Sequence, residues 1–170
     1  MKRTYLDLIS IIDQLHRRFL DLVAIELDRL RIMEINSVQA ILLFNIGTAD
    51  MTVSELMLRG CYLGSNVSYN AKKLAEMGYL IQRRAAEDRR TVRVRLSPKG
   101  LALCARIDAM HERHLAELAS ALANGAPADA APTNATPVET TLTTLRRFDR
   151  FWSRMVDEGP RGRAIADRAA

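Results

Sequence analysis

The sequence predicts a mainly α-helical protein with one small β-hairpin. Apolar residues recur at three- and four-residue spacing over most of the chain, whereas apolar and polar residues alternate strictly at 91–96. Of the 170 residues, 48% are hydrophobic and 26% are charged, so we expect one globular domain, with or without an appendage. This composition excludes a disordered chain and a collagen-like repeat.

The first predicted helix covers about 4–31 and is followed by a short helix near 37–46. The long helix has more apolar surface than one contact face needs, so we expect it to pack both within its domain and against a second subunit. Its stripe comprises Tyr5, Leu8, Ile12, Leu15, Phe19, Leu22 and Val23. Asn36-Ser37 begins the second helix, and Gly47 ends it.

Two further helices are predicted near 53–59 and 65–77. Thr52 stands three positions before Glu55, which indicates a capping box at the first of them. On the second, Val67, Ala71 and Leu74 share the side that should face the core. The opposite face is polar, partly cationic and carries one aromatic ring: Ser65, Ser68, Tyr69, Lys72 and Glu76, with Lys73 at its edge.

A hairpin with strands near 79–83 and 91–96 follows these helices. Its tip holds no glycine, so the tip is longer than a tight two-residue turn and should project from the body. The hairpin carries a basic patch, opposed by Glu87 and Asp88: Arg83, Arg84, Arg89, Arg90, Arg93 and Arg95. An alternative is that the strand arginines only keep the hairpin edges soluble and unpaired.

The C-terminal third is predicted to hold two helices and a linker. Ser97-Pro98 begins a helix that runs to about Leu122, with Cys104 on its core stripe. Residues 123–137 are rich in alanine and proline and indicate a mobile linker, and 159–170 indicate a frayed tail. Between them lies an apolar helical stripe that needs a docking surface: Leu142, Leu145, Phe148, Phe151, Trp152 and Met155.

Charge, cysteines and missing motifs narrow the class of function. The net charge of +5 and the pI near 9.6 favour an acidic or nucleic-acid partner. Cys61 and Cys104 form no Cys-x-x-Cys motif, which favours a reducing cytoplasm. The sequence contains neither a signal-peptide core nor a long apolar run, so no membrane segment is predicted. No phosphate-binding glycine loop or nucleophile elbow is present, so the sequence predicts a protein that is not an enzyme and needs no cofactor.

The order helix, helix, helix, hairpin predicts a winged helix-turn-helix over 36–97, flanked by N- and C-terminal helices. Several stretches resemble the MarR family of bacterial transcription regulators: Ser54-Glu55-Leu56, Val67-Ser68, Gly78-Tyr79-Leu80, Asp88-Arg89-Arg90 and Leu96-Ser97-Pro98-Lys99-Gly100. The chain departs from the family at the turn Gly60-Cys61-Tyr62-Leu63-Gly64.

The resemblance implies a homodimer that binds double-stranded DNA at a pseudo-palindromic operator, with 1–35 and 98–158 as dimerisation helices. It implies that Asp88 supports the wing, and that one set of residues contacts DNA: Ser65, Asn66, Ser68, Tyr69, Lys72, Lys73, Arg84, Arg89 and Arg90. We expect the dimer interface to include Leu8, Ile12, Leu145, Phe148, Phe151 and Trp152. A small-molecule effector is expected in a cleft between the dimerisation helices and the winged domain, near His16, Phe19, Ile41 and Tyr62.

Three alternatives remain open at this point. The winged domain could bind a protein through Phe148, Phe151 and Trp152 instead of DNA. Cys61, in the turn before the helix predicted near 65–77, could be a thiol-based redox sensor instead of a small buried residue. His111 and His114 have the spacing of two metal ligands, but no third ligand is evident, so no metal site is predicted.

Overall fold

The computed structural model describes residues 1–60, 64–84, 91–124 and 136–157, and the order of its elements confirms a mainly helical chain with a hairpin. The helices are α1 (Lys2–Arg29), α2 (Ser37–Ile46), α3 (Val53–Gly60), α4 (Gly64–Glu76), α5 (Pro98–Asn124) and α6 (Pro137–Asp157). The strands are β1 (Met51–Thr52), β2 (Leu80–Arg84) and β3 (Val92–Leu96). The chain divides into two compact units, Met1–Ala116 and Glu117–Ala170.

The expected two-stranded hairpin is part of a three-stranded antiparallel sheet with the order β1-β3-β2. Leu80 lies opposite Leu96, and Arg84 lies opposite Val92. The sequence prediction missed β1, in which Met51 pairs with Val94. A strand of two residues is too short to show alternation, so only its tertiary partner identifies it.

Local hydrogen bonds fix where α2 and α3 begin. The Asn36 carbonyl Oδ1 accepts from the Gln39 N–H at 2.9 Å, and the Gln39 Oε1 accepts from the Asn36 N–H at 3.1 Å. The predicted capping box at Thr52 is confirmed: the Thr52 Oγ1 accepts from the Glu55 N–H, and the Glu55 carboxylate accepts from the Thr52 N–H. These bonds hold the pKa of Glu55 below its ordinary value.

Helix α1 ends two residues earlier than the sequence predicted. Arg31 has a φ of 57°, a left-handed conformation that no helix continues. Its N–H donates to the Asp28 carbonyl at 2.9 Å, and the Ile32 N–H donates to the Leu27 carbonyl at 2.9 Å. These two hydrogen bonds form a Schellman motif at the end of the helix. Glycine is the usual residue at its left-handed position, which Arg31 occupies here.

The core of the first unit lies between α2, α3, α4, the sheet and the facing parts of α1 and α5. Its largest fully buried side chains include Leu42, Leu43, Ile46, Leu56, Leu74, Tyr79, Val94, Ile107 and Met110. The predicted inward side of α4 is confirmed, since Val67, Ala71 and Leu74 are all buried. Cys104 packs half-buried against this core, and burial raises the pKa of its thiol to about 11.

The start of α5 is fastened to the turn between α4 and β2. The Ser97 hydroxyl donates to the Gly78 carbonyl at 2.6 Å and accepts from the Gly100 N–H at 3.1 Å, which confirms Ser97 as the helix cap. The Ser97 N–H also donates to the Tyr79 carbonyl at 3.0 Å. This joint sets the direction in which α5 leaves the winged domain.

A buried carboxylate joins α1 to α5. Glu26 is 5% exposed, and it accepts from Arg29 at 2.6 and 2.8 Å and from Arg113 at 3.0 Å. The Arg29 hydrogen bonds, helped by Arg113, lower the pKa of Glu26 from 4.5 to about 2 against the opposing effect of burial. The charged form of Glu26 is therefore part of the folded state at neutral pH.

Substitution Glu26→Gln is expected to lower the free energy of unfolding at pH 7 by about 1–3 kcal/mol, because the charge-assisted bonds to two arginines are lost. Since the pKa is depressed in the folded state, Glu26 contributes stability above pH 4.5 that disappears as the pH falls towards 2. Urea unfolding across that range should show a shallower pH dependence for the variant. The exposed neighbour Asp28→Asn is the control, and equal losses in both variants would refute the role of Glu26.

The second unit contains the end of α5 and all of α6. The predicted linker 123–137 was too wide at both ends, because α5 runs to Asn124 and α6 begins at Pro137. Thr136 caps α6, accepting from the Glu139 N–H at 3.2 Å while the Glu139 carboxylate accepts from the Thr136 N–H at 2.7 Å. Residues 125–135 and the predicted tail 159–170 lie outside the described residues. No described helix is long and apolar enough to span a membrane.

Candidate nucleic-acid interface

The predicted polar face of α4 is exposed. Asn66, Ser68, Lys72 and Lys73 all lie on the solvent side, and Tyr69 is 61% exposed. The two lysines are 3.9 and 3.7 Å from the Glu76 carboxylate, so they form weak surface ion pairs on the same helix. Ser65 belongs to the first turn of α4. This helix therefore presents hydrogen-bond donors, two cations and a tyrosine ring to an approaching partner.

A side-chain network holds α4 from behind. The buried Gln39 of α2 donates through Nε2 to the Asn70 Oδ1 at 3.0 Å, and the Asn70 amide donates to the Asn66 carbonyl at 2.8 Å. The Gln39 side chain therefore caps α2 and also holds α4 in place. Sequence reasoning missed both side chains, although Gln39 stands at the third helical position where a capping partner is expected.

Asp50 anchors the strands of the hairpin. Its carboxylate accepts from the Arg93 Nε at 2.9 Å and lies 3.8 Å from the Arg83 guanidinium. Arg83 and Arg93 are directly opposite each other in the β2–β3 register, where like charges repel. Asp50 offsets this repulsion, so these two arginines do more than keep the strand edges soluble. Sequence reasoning missed Asp50 because it lies 43 residues from Arg93.

The remaining arginines of the basic patch differ in their surroundings. Arg84 ends β2 and is exposed, as a DNA-contacting residue requires. Arg95 is half-buried, and its Nε has no hydrogen-bond partner among the described residues. Asp88, Arg89 and Arg90, the predicted wing tip, lie outside the described residues.

An open cleft of about 410 Å³ separates α4 from the hairpin strands. Its polar lining combines Ser54 at the start of α3, Ser68 and Lys72 of α4, and Gln82 of β2. Hydroxyl, ammonium and amide groups are the donors that proteins use for phosphate oxygens. Ser54 and Gln82 were not among the predicted site residues, because only the fold brings them beside α4.

The residues predicted for an effector pocket differ in their exposure to solvent. His16 is exposed, whereas Phe19 and Ile41 are half-buried against the core, and Tyr62 lies outside the described residues, as does Cys61. The Phe19 ring stacks on His111 with centroids 5.7 Å apart, and His111 lies 5.1 Å from the Phe44 ring. The effector pocket stays a prediction. No group of three or more metal-ligating side chains occurs in the described parts of the chain.

The residues predicted for a dimer interface lie in both units. Leu8 and Ile12 of α1 are half-buried, as are Leu145, Phe148 and Trp152 of α6. The Phe148 and Trp152 rings are in contact, with centroids 5.8 Å apart, while Phe151 is 47% exposed. Their role in dimerisation stays a prediction.

Comparison with known proteins finds similarity in the winged helix segment and beyond it. Residues 35–100 match the family of winged helix DNA-binding domains. The chain is also 42% identical over 102 residues to the exopolysaccharide II synthesis transcriptional activator ExpG of Rhizobium meliloti (strain 1021). That match covers 60% of this chain and 53% of ExpG, so the chain spans about half the length of this relative.

Two solved structures of other proteins share the fold. FabT of Streptococcus pneumoniae, crystallised in complex with DNA, superimposes with a TM-score of 0.62 at 19% identity, covering 89% of this chain and 99% of FabT. Apo MarR of E. coli superimposes with a TM-score of 0.55 at 20% identity, covering 81% of this chain and 92% of MarR. The chain therefore has the winged helix fold of the MarR regulators, as its sequence predicted, and residues 35–100 are the part that matches the winged helix DNA-binding domains.

Proposed function

We propose that this protein is a transcription regulator that binds operator DNA as a homodimer, with α4 of each protomer in a major groove. The observation that carries the proposal is the exposed polar and cationic face of α4 beside an arginine-bearing hairpin, within a matched DNA-binding domain. A helix fits the major groove of B-form DNA, where the edges of the base pairs are distinguishable.

In this proposal the side chains divide into two groups. Asn66, Ser68 and Tyr69 would meet base edges, as would Ser65. Lys72, Lys73 and Arg84 would bind phosphates, as would Arg89 and Arg90 with support from Asp88. Phosphate contacts would position the protein, and contacts to base edges would select the sequence.

The proposed dimer accounts for the apolar surface of α1. Among the described residues, none between Lys2 and Leu22 is buried, and Leu6, Ile9, Leu15 and Leu22 are exposed. A helix that buries so little gains little from tertiary packing and is marginal in water. A second copy covering α1, with Leu8 and Ile12 at the contact, would supply the missing burial. The aromatic stripe of α6 is proposed as a further dimer contact.

The regulator would act in the cytoplasm, where its DNA target lies, and binding alone would perform its function without catalysis. A small-molecule effector near His16, Phe19, Ile41 and Tyr62 would act by changing the separation of the two α4 helices. Such a ligand shifts the equilibrium only if its affinity differs between the two states.

The stoichiometry on DNA tests the dimer. Sedimentation of the protein with a duplex carrying two inverted half-sites should give two protomers per duplex. A duplex with one half-site should bind far more weakly, because the second recognition helix then lacks its site. One protomer per duplex with equal affinity for both duplexes would refute the dimeric mode of binding.

Asp50 should control the discrimination between operator and other DNA. Substitution Asp50→Asn removes the carboxylate that lies beside Arg83 and accepts from the Arg93 Nε, whereas the Asp50 backbone carbonyl still accepts from Arg93 at 2.6 Å. The Arg83 guanidinium above all then gains freedom to meet any phosphate. We expect binding to random duplex to tighten about two- to fivefold while operator affinity stays equal or falls. Asp7→Asn, the same change on α1, is the control. Unchanged discrimination in Asp50→Asn would contradict the role of Asp50.

A further inference from the structure

A second open cleft, of about 530 Å³, lies where the corner between α1 and α2 meets the first turns of α5. Its floor includes the aliphatic side chains of Leu30 and Ile32. Its charged lining comprises Arg29, Arg31, Lys99 and Arg106 together with Glu34. All these residues belong to the unit Met1–Ala116. None of them is among the proposed DNA contacts, so the cleft is a separate surface.

The charges of this lining do not balance. Glu34 accepts from the Tyr79 hydroxyl at 2.7 Å and from the Lys99 ammonium at 3.1 Å, so its charge is already satisfied. In the described parts of the chain, Arg31 and Arg106 form no hydrogen bond or ion pair with a side chain. Arg29 is paired with Glu26 and Lys99 with Glu34, so Arg31 and Arg106 leave an excess of two positive charges.

The backbone conformation of Arg31 is unusual for a residue that has a side chain. With a φ of 57°, Arg31 occupies the left-handed site at the end of α1 where glycine is favoured. A residue with a side chain is strained there, and such strain is concentrated at ligand sites. Arg31 at this strained position lines the cleft together with Arg106 of α5.

We propose that this cleft binds a phosphate group through Arg31 and Arg106, either as free phosphate or as part of a small phosphorylated molecule. Phosphate carries close to two negative charges at neutral pH, which matches the excess in the lining, and guanidinium groups bind its oxygens in pairs. A monoanionic carboxylate would neutralise half of that excess. The aliphatic floor suits the carbon skeleton of a phosphate ester. The bound group would join the end of α1 to α5.

The test uses the full-length protein without DNA. Backbone amide NMR shifts are followed during titration with sodium phosphate, against sodium chloride at matched ionic strength and pH. We expect saturable shifts at 30–32 and 102–106, with a dissociation constant of about 1 mM or lower. Glycerol phosphate in a parallel titration identifies the source: tighter binding than phosphate indicates a phosphorylated molecule, and equal binding indicates free phosphate. Sodium acetate should bind more weakly than either.

Variants separate binding from folding. Arg31→Gly and Arg106→Gln should each weaken phosphate binding about tenfold, the effect of losing a charge-assisted hydrogen bond. Glycine is favoured at position 31, so Arg31→Gly should melt no lower than the parent protein, and its loss of binding is not a loss of fold. Arg18→Gln, which removes an exposed arginine of α1 outside the cleft, should bind phosphate like the parent.

Two results would overturn the proposal. One is a set of shifts confined to α4 and the hairpin, which would mean that phosphate occupies the DNA-binding surface. The other is unchanged phosphate binding in both Arg31→Gly and Arg106→Gln. Operator binding is measured on the same variants. Because none of the proposed DNA contacts is altered, failure of this proposal leaves the regulator function standing, and failure of DNA binding leaves the phosphate site standing.

Discussion

Alanine in place of both Tyr69 and Lys72 is expected to weaken operator binding by at least thirtyfold while leaving the melting temperature nearly unchanged. Both side chains project from α4 into solvent, so their loss removes little packing. Each contact to a base or phosphate is worth about 1–3 kcal/mol in comparable interfaces, so two lost contacts are sufficient for this effect. Fluorescence anisotropy of a labelled operator duplex measures the affinity, and thermal unfolding measures the stability.

A matched control removes one cation from outside the interface. Lys2→Ala changes the net charge by the same amount as Lys72→Ala, yet Lys2 lies at the start of α1. We expect Lys2→Ala to bind within about twofold of the parent, since exposed charges that are distant from DNA are screened by salt. If the double variant binds as tightly as Lys2→Ala, α4 is not the recognition helix.

Gly100→Ala is expected to be the most disruptive single-methyl change in the described winged domain and its joint to α5. A Cβ at this position would collide with the Tyr79 carbonyl oxygen and approach the Leu96 Cδ2 to 3.2 Å. The carbonyl belongs to the backbone, which has no free rotamer to move aside. We expect the free energy of unfolding to fall by about 3 kcal/mol, more than the usual gain from alanine in a helix. Operator affinity should fall with it, because the Ser97 joint would shift.

Gly78→Ala is the control for Gly100→Ala. Gly78 has a φ of 77°, but a Cβ there would meet nothing within 4 Å, so only backbone strain opposes the change. We expect this variant to lose about 1 kcal/mol in the free energy of unfolding by urea. Equal stability of the two variants would contradict the steric account of Gly100.

Elements that depend on neighbours in sequence were predictable. The spacing of Val67, Ala71 and Leu74 identified the buried side of α4, and Thr52 with Glu55 identified the start of α3. These signals arise from helix periodicity and from hydrogen bonds that span three residues. The exposed face of α4 followed from the same periodicity.

Elements that depend on distant partners were not predictable. Strand β1 exists because Met51 meets Val94, and the hairpin is anchored because Asp50 meets Arg93. Gln39 reaches Asn70 across 31 residues, and Glu26 reaches Arg113 across 87. For an isolated Asp, Gln or Glu, the sequence does not indicate which distant residue will become its partner in the fold. The helix end at Arg31 was missed because glycine is its usual signal.

Selection from a pool of random duplexes shows whether the protein recognises a DNA sequence or binds phosphates alone. Random duplexes are enriched on the purified protein, and binding of the selected and scrambled duplexes is then measured over a range of salt concentrations. We predict an enriched inverted repeat with half-sites about one helical turn apart, and an affinity that falls steeply and linearly with the logarithm of the salt concentration. If no sequence is enriched and all duplexes bind equally and weakly, sequence-specific recognition of DNA is contradicted.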